Sequence, residues 1–304
     1  MCGIYGFNKS KDFRDTNGTL FDLLTEMAVE TQVRGRHATG YACRYLDGYK
    51  SFKKPLPASE FIDTDYWWRL AESMPESLVG HARYATMGLP KENKNNHPFQ
   101  SRRYYMVHNG TLKTSEYLPF KSLCETECDS EAILRILQTA GGIKKGVKRV
   151  FKAMPESNLA CVVLDKKTGK THFFRSPDRP LVVWESKGLI LYASTEEILE
   201  NAYSNVIGVA SKKIKSFKKW SPNSGTLYTL GTNLKWEKPL KLKKYPRSRM
   251  TTVINDPYSK KKPVRQFGYT TGLGYPEIRT VSDYRGEYGN DLATRGQGMV
   301  VYGD

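Results

Sequence analysis

Apolar and polar positions alternate in two rhythms over the first 240 residues. Cys2-Gly3-Ile4-Tyr5-Gly6-Phe7 is a short apolar run of the kind a buried strand uses. Leu20, Leu23, Leu24, Met27, Ala28 and Val33 recur at helical spacing over Leu20 to Val33. The pattern then predicts a strand over Tyr41 to Tyr45 and a helix over Glu60 to Met74, carrying Tyr66, Trp67, Trp68 and Leu70. Strands follow at Leu78 to Ala85 and at Arg103 to Val107, each ending in a polar loop. Ile133, Leu134, Ile136 and Leu137 form a helical stripe, with Asp129 or its neighbour as the N-cap. Ile143, Val147, Val150, Phe151 and Met154 form another. From Leu159 the rhythm is that of strands: 159–165, 171–175, 181–184, 188–193 and 226–230, the last bounded by Gly225 and Gly231. Strands, two helices, then strands again predict an α+β fold with helices packed on antiparallel sheets.

The rhythm stops near residue 243. Residues 243–304 carry Gly, Pro, Tyr and charge, including Lys260-Lys261-Lys262-Pro263 and the stretch from Gly268 to Tyr275. The expected organisation is a folded domain over 1–242 and an extended or disordered basic tail over 243–304, or an arm that orders on a partner.

Composition narrows the class. The chain has 304 residues, 39% of them hydrophobic and 26% charged, which excludes a collagen-like repeat, a disulfide-dense mini-protein and full disorder. No apolar run reaches the roughly 18 residues of a transmembrane helix, so no membrane association is expected. Cys2, Cys43, Cys124, Cys128 and Cys161 are odd in number and scattered, the usage of reduced thiols in a cytosolic protein. The opening apolar run gives way at once to Lys9, Lys11 and Asp12, too early for a secretory signal. A cytoplasmic location is therefore expected.

The net charge of +17 must be located before it can be read. The tail holds 11 Lys and Arg against 6 Asp and Glu, so most of the excess lies elsewhere. Two segments without acids carry it: 141–152, with Lys144, Lys145, Lys148, Arg149 and Lys152, and 211–219, with Lys212, Lys213, Lys215, Lys218 and Lys219. The first is the polar face of an amphipathic helix and the second a basic strand edge or loop. If the two adjoin, an acidic partner or a nucleic-acid backbone could dock there; otherwise both are solvated surface.

Candidate chemistry starts at Cys2. Removal of Met1, which a small second residue favours, would leave a thiol and an α-amine on one residue. That amine has a reference pKa of about 7.7–8.0 and can act as base for its own side chain. Four further clusters follow in order: Arg34-Gly35-Arg36-His37-Ala38-Thr39-Gly40, Gly80-His81-Ala82-Arg83-Tyr84-Ala85-Thr86-Met87-Gly88, His108-Asn109-Gly110 and Cys128-Asp129-Ser130-Glu131. Asn109-Gly110 alone reads as a tight hairpin turn. Arg83 alone reads as a strand residue and Asp129 as a helix cap. Together with Met-Cys-Gly-Ile, and with Asn96-His97-Pro98-Phe99 as a Pro-containing loop, the clusters closely resemble the class II glutamine amidotransferases. The resemblance covers roughly residues 1–240, its second half carried by Phe174-Arg175-Ser176-Pro177, Pro180-Leu181 and Ala193-Ser194-Thr195-Glu196.

The resemblance implies a four-layer αββα N-terminal-nucleophile hydrolase sandwich and an enzyme that uses no cofactor. It implies Cys2 as the nucleophile that forms a thioester with the side-chain amide carbon of glutamine. Asn109 and Gly110 are then the oxyanion hole. Arg83 pairs with the substrate α-carboxylate and Asp129 with its α-ammonium group. Thr86 and Tyr84 lie near the ligand, and Arg34 orders the site. The sequence departs from the family pattern at His37, where Asp is frequent, and at Met87. The ammonia-using domain of such proteins has no counterpart in the polar tail, so a separate synthetase is expected as partner. A stand-alone amidohydrolase acting on another γ-glutamyl or amide substrate is the second reading. A non-catalytic nucleic-acid or partner-binding module on the same fold is the third. The five histidines, His37, His81, His97, His108 and His172, show no metal-binding spacing, so no metal is expected.

Overall fold

The computed structural model describes residues 1–15, 18–208 and 216–243. The first strand, β1 (Gly3–Lys9), is almost wholly buried because strands flank both its edges and packed layers cover both its faces. This explains why its sequence lacks an apolar–polar alternation. Helix α1 (Thr19–Thr31) turns Leu20, Leu23, Leu24, Met27 and Ala28 inward, and a 3₁₀ turn over Gln32–Arg34 carries the chain on. A hairpin follows, β2 (Ala38–Arg44) and β3 (Tyr49–Lys54), then short helices α2 (Ala58–Phe61) and α3 (Asp65–Glu72), then β4 (Ser77–Arg83). Next come β5 (Phe99–Gln100), β6 (Tyr104–Thr111), α4 (Thr114–Tyr117), α5 (Ser130–Thr139) and α6 (Ile143–Ala153). The second half is β7 (Asn158–Asp165), β8 (Thr171–Arg175), β9 (Val182–Ser186), β10 (Leu189–Ala193), α7 (Glu196–Ile207), β11 (Lys218–Trp220), β12 (Thr226–Leu230) and β13 (Leu240–Lys241).

The strands form two sheets with antiparallel pairing, in the orders β11-β9-β10-β1-β4-β2-β3 and β13-β12-β8-β7-β6-β5. One apolar cluster lies between them, with Ile4, Val79 and Ile190 from the first sheet against Val107, Val162 and Phe173 from the second. A second cluster joins the outer face of the six-stranded sheet, through Met106, Cys161 and Val163, to α5 and α6. Helices α1 and α7 pack on each other and on β1, β4 and β10. The layers are therefore helix, sheet, sheet, helix: the αββα sandwich expected from the resemblance.

Three expectations change. The helix expected over Glu60 to Met74 is broken at 62–64, where the Thr64 hydroxyl donates to the Phe61 carbonyl at 2.7 Å and ends the first turn. The run of strands after Leu159 is interrupted by α7, whose Ile198, Leu199, Ala202 and Tyr203 give a helical stripe. Asn109-Gly110 is not a turn. Both lie in β6, registered against Ala160 and Leu159 of β7, and the pairing continues to Thr111. Tertiary pairing overrides the turn preference of the dipeptide.

The polar face of α6 is exposed. Of the second segment, 211–215 lies outside the described residues, and Lys219 is already paired with Glu196 and Glu200, at 2.9 Å each. The tail lies outside the described residues. Among those described, no helix is long and apolar enough to cross a membrane.

Candidate active site

Cys2 stands at the head of β1, where Gly3 pairs with Ala82 of β4. The sulfur therefore meets the backbone just past the end of β4. The Tyr84 N–H donates to Cys2 Sγ at 3.4 Å, and the thiol in turn lies 3.4 Å from the Tyr84 carbonyl. Burial pushes the thiol pKa up, and Asp129 adds to that. The Tyr84 hydrogen bond, the N-terminal ammonium and Arg83 oppose it. The Arg34 side chain, at the end of the 3₁₀ turn, donates through Nε to the Cys2 carbonyl at 2.9 Å. Gly35 permits this approach: a Cβ there would lie 2.3 Å from the Arg83 carbonyl carbon and 2.4 Å from the Tyr84 nitrogen, a backbone clash.

Arg83 is 2% exposed and fixed by three acceptors. Nη1 donates to Asn96 Oδ1 at 2.8 Å, and Nη2 to the Gly88 carbonyl at 3.0 Å and to the Met87 carbonyl. A guanidinium has five N–H donors, so two remain beyond these bonds. Asn96 ties the same loop again through Nδ2 to the Pro90 carbonyl at 2.8 Å. Asn95 bonds the Leu89 carbonyl and exchanges bonds with Glu127. This loop walls an open cleft of about 420 Å³ lined by His37, Thr86, Met87, Gly88, Pro90 and Glu127 among others. His37 holds the cleft's near edge: its Nδ1 accepts the Ala85 N–H at 2.9 Å, and its ring stacks on Tyr84 at 5.0 Å.

On the second sheet, His108, Asn109 and Gly110 follow one another along β6. The His108 carbonyl lies 3.0 Å from His81 Nε2 on β4, which joins the two sheets beside Cys2's neighbour strand. Asn109 is 1% exposed, and neither its Nδ2 nor its Oδ1 has a hydrogen-bond partner among the described residues. Buried amides are rarely left so. Gly110 is sterically required: a Cβ would lie 1.9 Å from the Asn158 carbonyl oxygen and 2.5 Å from His108 Nε2.

Asp129 occupies the N-cap position of α5, yet its carboxylate makes no capping bond. It accepts the Leu112 N–H at 2.9 Å instead, which draws the start of α5 to the end of β6. Three imidazoles lie behind the site. Burial lowers His81 to about 3, His108 to about 4 and His97 well below the usual value, so all three are neutral near pH 7. No group of three His, Cys, Asp or Glu able to hold a metal occurs among the described residues.

The fold thus gathers Cys2, Arg34, Tyr84, Arg83 and Asp129 at one end of the sandwich, with Asn109 and Gly110 on the facing strand. Thr86 stands apart, exposed on the cleft wall and without a bond to the others. Sequence reasoning missed Asn95 as a loop tie, His37 as the support of Tyr84, and Arg179, whose Nη1 reaches Met1 Sδ at 3.3 Å. All three lay in or beside quoted motifs, Arg179 next to Pro180-Leu181.

Four layers and a cysteine at the head of a central strand define an N-terminal-nucleophile hydrolase sandwich. A solved glutamine phosphoribosylpyrophosphate amidotransferase from B. subtilis shares this fold, with a TM-score of 0.61 and 15% identity, over 80% of this chain and 49% of that one. In sequence, the chain is 25% identical over 206 residues to a glutamine–fructose-6-phosphate aminotransferase of Halalkalibacterium halodurans, 64% of this chain and 32% of that protein. It is 28% identical over 211 residues to the enzyme of the same name from Staphylococcus epidermidis, again 64% and 32%. The chain spans about a third of the length of these curated relatives. No family profile matches it. The relatives and the fold together bear out the motif resemblance: the chain is a relative of the class II glutamine amidotransferases, a class of enzymes.

Proposed function

We propose that the domain hydrolyses the side-chain amide of glutamine. The Cys2 thiol, its proton passed to the Cys2 α-amine after loss of Met1, attacks the amide carbon. The tetrahedral oxyanion is held by Asn109 Nδ2 and the Gly110 N–H. The amine returns the proton to the leaving nitrogen, ammonia departs and a thioester remains. Water then attacks the thioester, releasing glutamate and restoring the thiol. Arg83 offers the substrate carboxylate its positive charge and an N–H group that the loop bonds leave uncommitted. Asp129 takes the α-ammonium group, Tyr84 and Thr86 border the cleft, and Arg34 fixes the Cys2 carbonyl.

The single observation that carries this reading is the unpartnered, buried Asn109 amide on the strand facing Cys2. A preorganised donor with no ground-state partner is what an oxyanion site requires. The curated relatives extend well beyond the matched segment, which supports an ammonia acceptor held on another domain or a separate synthetase. The test is glutamate release from glutamine, with intact mass, on wild type and Cys2→Ala. A mature chain beginning at Cys2, glutamate release abolished by Cys2→Ala, and a covalent Cys2 adduct with a glutamine-analogue electrophile are the expected results. Equal release by Cys2→Ala would sink the reading.

A further inference from the structure

Acceptors in the loop between β4 and β5 fix Arg83, and β3 in turn fixes that loop. Strand β3 ends the seven-stranded sheet, and Lys53 lies near its close. The Lys53 ammonium donates to the Asn96 carbonyl at 2.6 Å, to the Pro98 carbonyl at 3.3 Å and to the Lys94 carbonyl at 3.4 Å. An ammonium has three N–H donors, and here each has a carbonyl within reach. The loop bonds back: Asn93 Nδ2 donates to the Lys53 carbonyl at 2.8 Å. Asn96 carries the connection onward. Its carbonyl accepts the shortest Lys53 bond, while its side chain accepts Arg83 Nη1 and donates to the Pro90 carbonyl, at 2.8 Å each. Lys53 also lies over the Phe99 ring, 5.4 Å from its centroid. Its neighbour Lys54 is exposed and lies over the Phe52 ring at 5.7 Å, away from these carbonyls.

We propose that Lys53 is a positioning residue for the glutamine site: it pins the backbone of the cleft loop at 94–98, so that Asn96 holds Arg83 in place for the substrate carboxylate. The inference rests on the glutaminase reading for its purpose, while the hold on the loop is tested without substrate.

The pin depends on charge. Burial lowers the Lys53 pKa to about 8; Cys128 and Glu131, beside and within α5, oppose the fall, and Arg83 from the end of β4 adds to it. Within the loop, His97 is neutral near pH 7 and Lys94 is paired with Glu92 at 3.1 Å. Below that pKa the ammonium makes charge-assisted bonds to the carbonyls. As pH rises through it, the neutral amine loses one N–H and the charge assistance together.

The experiment measures glutamate release against glutamine concentration across about pH 6.5–9.5 on the full chain. Wild type, Lys53→Met, Lys53→Arg and the control Lys54→Met are compared, and amide hydrogen exchange over 86–98 is followed without glutamine. At pH 7, Lys53→Met should raise KM about 10-fold, the size of one lost charge-assisted bond, with kcat changed less than about threefold. Lys54→Met should match wild type. The KM ratio of Lys53→Met to wild type should shrink as pH passes about 8, because wild type then loses its own cation. Lys53→Arg keeps a cation throughout and should show no KM rise centred there, whatever its KM at pH 7. The α-amine of glutamine titrates equally in all four proteins, so it drops out of these comparisons. Exchange over 86–98 should quicken in Lys53→Met. A KM ratio near one at pH 7, a ratio that does not change with pH, a rise near pH 8 kept in Lys53→Arg, or unchanged loop exchange overturns the proposal. Quickened exchange in Lys53→Met beside a wild type that releases no glutamate leaves the hold on the loop standing and refutes the glutaminase reading instead.

Discussion

Replacing Asn109 separates activity from stability. The side chain is 1% exposed, and both of its amide atoms lack a partner among the described residues. A buried polar group left unsatisfied costs the folded state roughly 1–3 kcal/mol. Asn109→Ala removes that penalty and loses a small side chain's packing, a term of opposite sign and about 1–2 kcal/mol. The two nearly cancel, so the stability of Asn109→Ala should lie within about 1 kcal/mol of wild type, or above it. Activity behaves otherwise. Loss of one preorganised oxyanion donor raises the barrier by about 3–4 kcal/mol, a fall of roughly 10²–10³ in kcat. Urea unfolding with the slope held fixed gives the first number, and steady-state glutamate release gives the second. The reasoning fails if Asn109→Ala unfolds more than about 2 kcal/mol easier, because the amide must then hold a structural bond. It fails equally if kcat is unchanged, because the amide then serves no oxyanion.

Gly110→Ala would place a Cβ 1.9 Å from the Asn158 carbonyl oxygen and force β6 from β7, so it should destabilise by roughly 1–3 kcal/mol or more. Gly48→Ala meets no atom within 4 Å and should move thermal unfolding little, which makes it the control. Buried His81, His97 and His108 have folded-state pKa values depressed below the unfolded value near 6.5, so the unfolded chain binds more protons in acid. Stability present above pH 6.5 should be lost as pH falls, by about 2 kcal/mol per histidine between pH 7 and 5. Chemical denaturation across that range checks it, and a flat profile would contradict the neutral imidazoles. Arg103 is the bidentate partner of Asp165, which is 1% exposed, with Nη2 to Oδ2 at 2.8 Å. Because Arg103 is partly solvated, Arg103→Ala should cost about 1–3 kcal/mol rather than the full value of a buried pair. Comparison with Arg103→Lys, which keeps the charge but not the fork, measures the share due to geometry.

The sequence by itself determined the parts. Continuous apolar runs at 3–7 and 159–165 marked strands covered on both faces, and helical stripes marked α1, α5 and α6, because burial imposes those periods directly on the residues. The motif order offered candidate residues for the site, since chemistry restricts which side chains can attack, clamp or donate. Tertiary structure decided what local pattern cannot encode. It put Asn109-Gly110 into a strand, where pairing with β7 outweighs the dipeptide's turn preference. It turned the Asp129 carboxylate from its own helix to the Leu112 N–H. It brought Arg179 from a loop 177 residues away in the chain to the N-terminal side of Cys2. Those choices depend on which surfaces meet across two sheets, and a linear pattern holds no record of such long-range contacts until the layers pack.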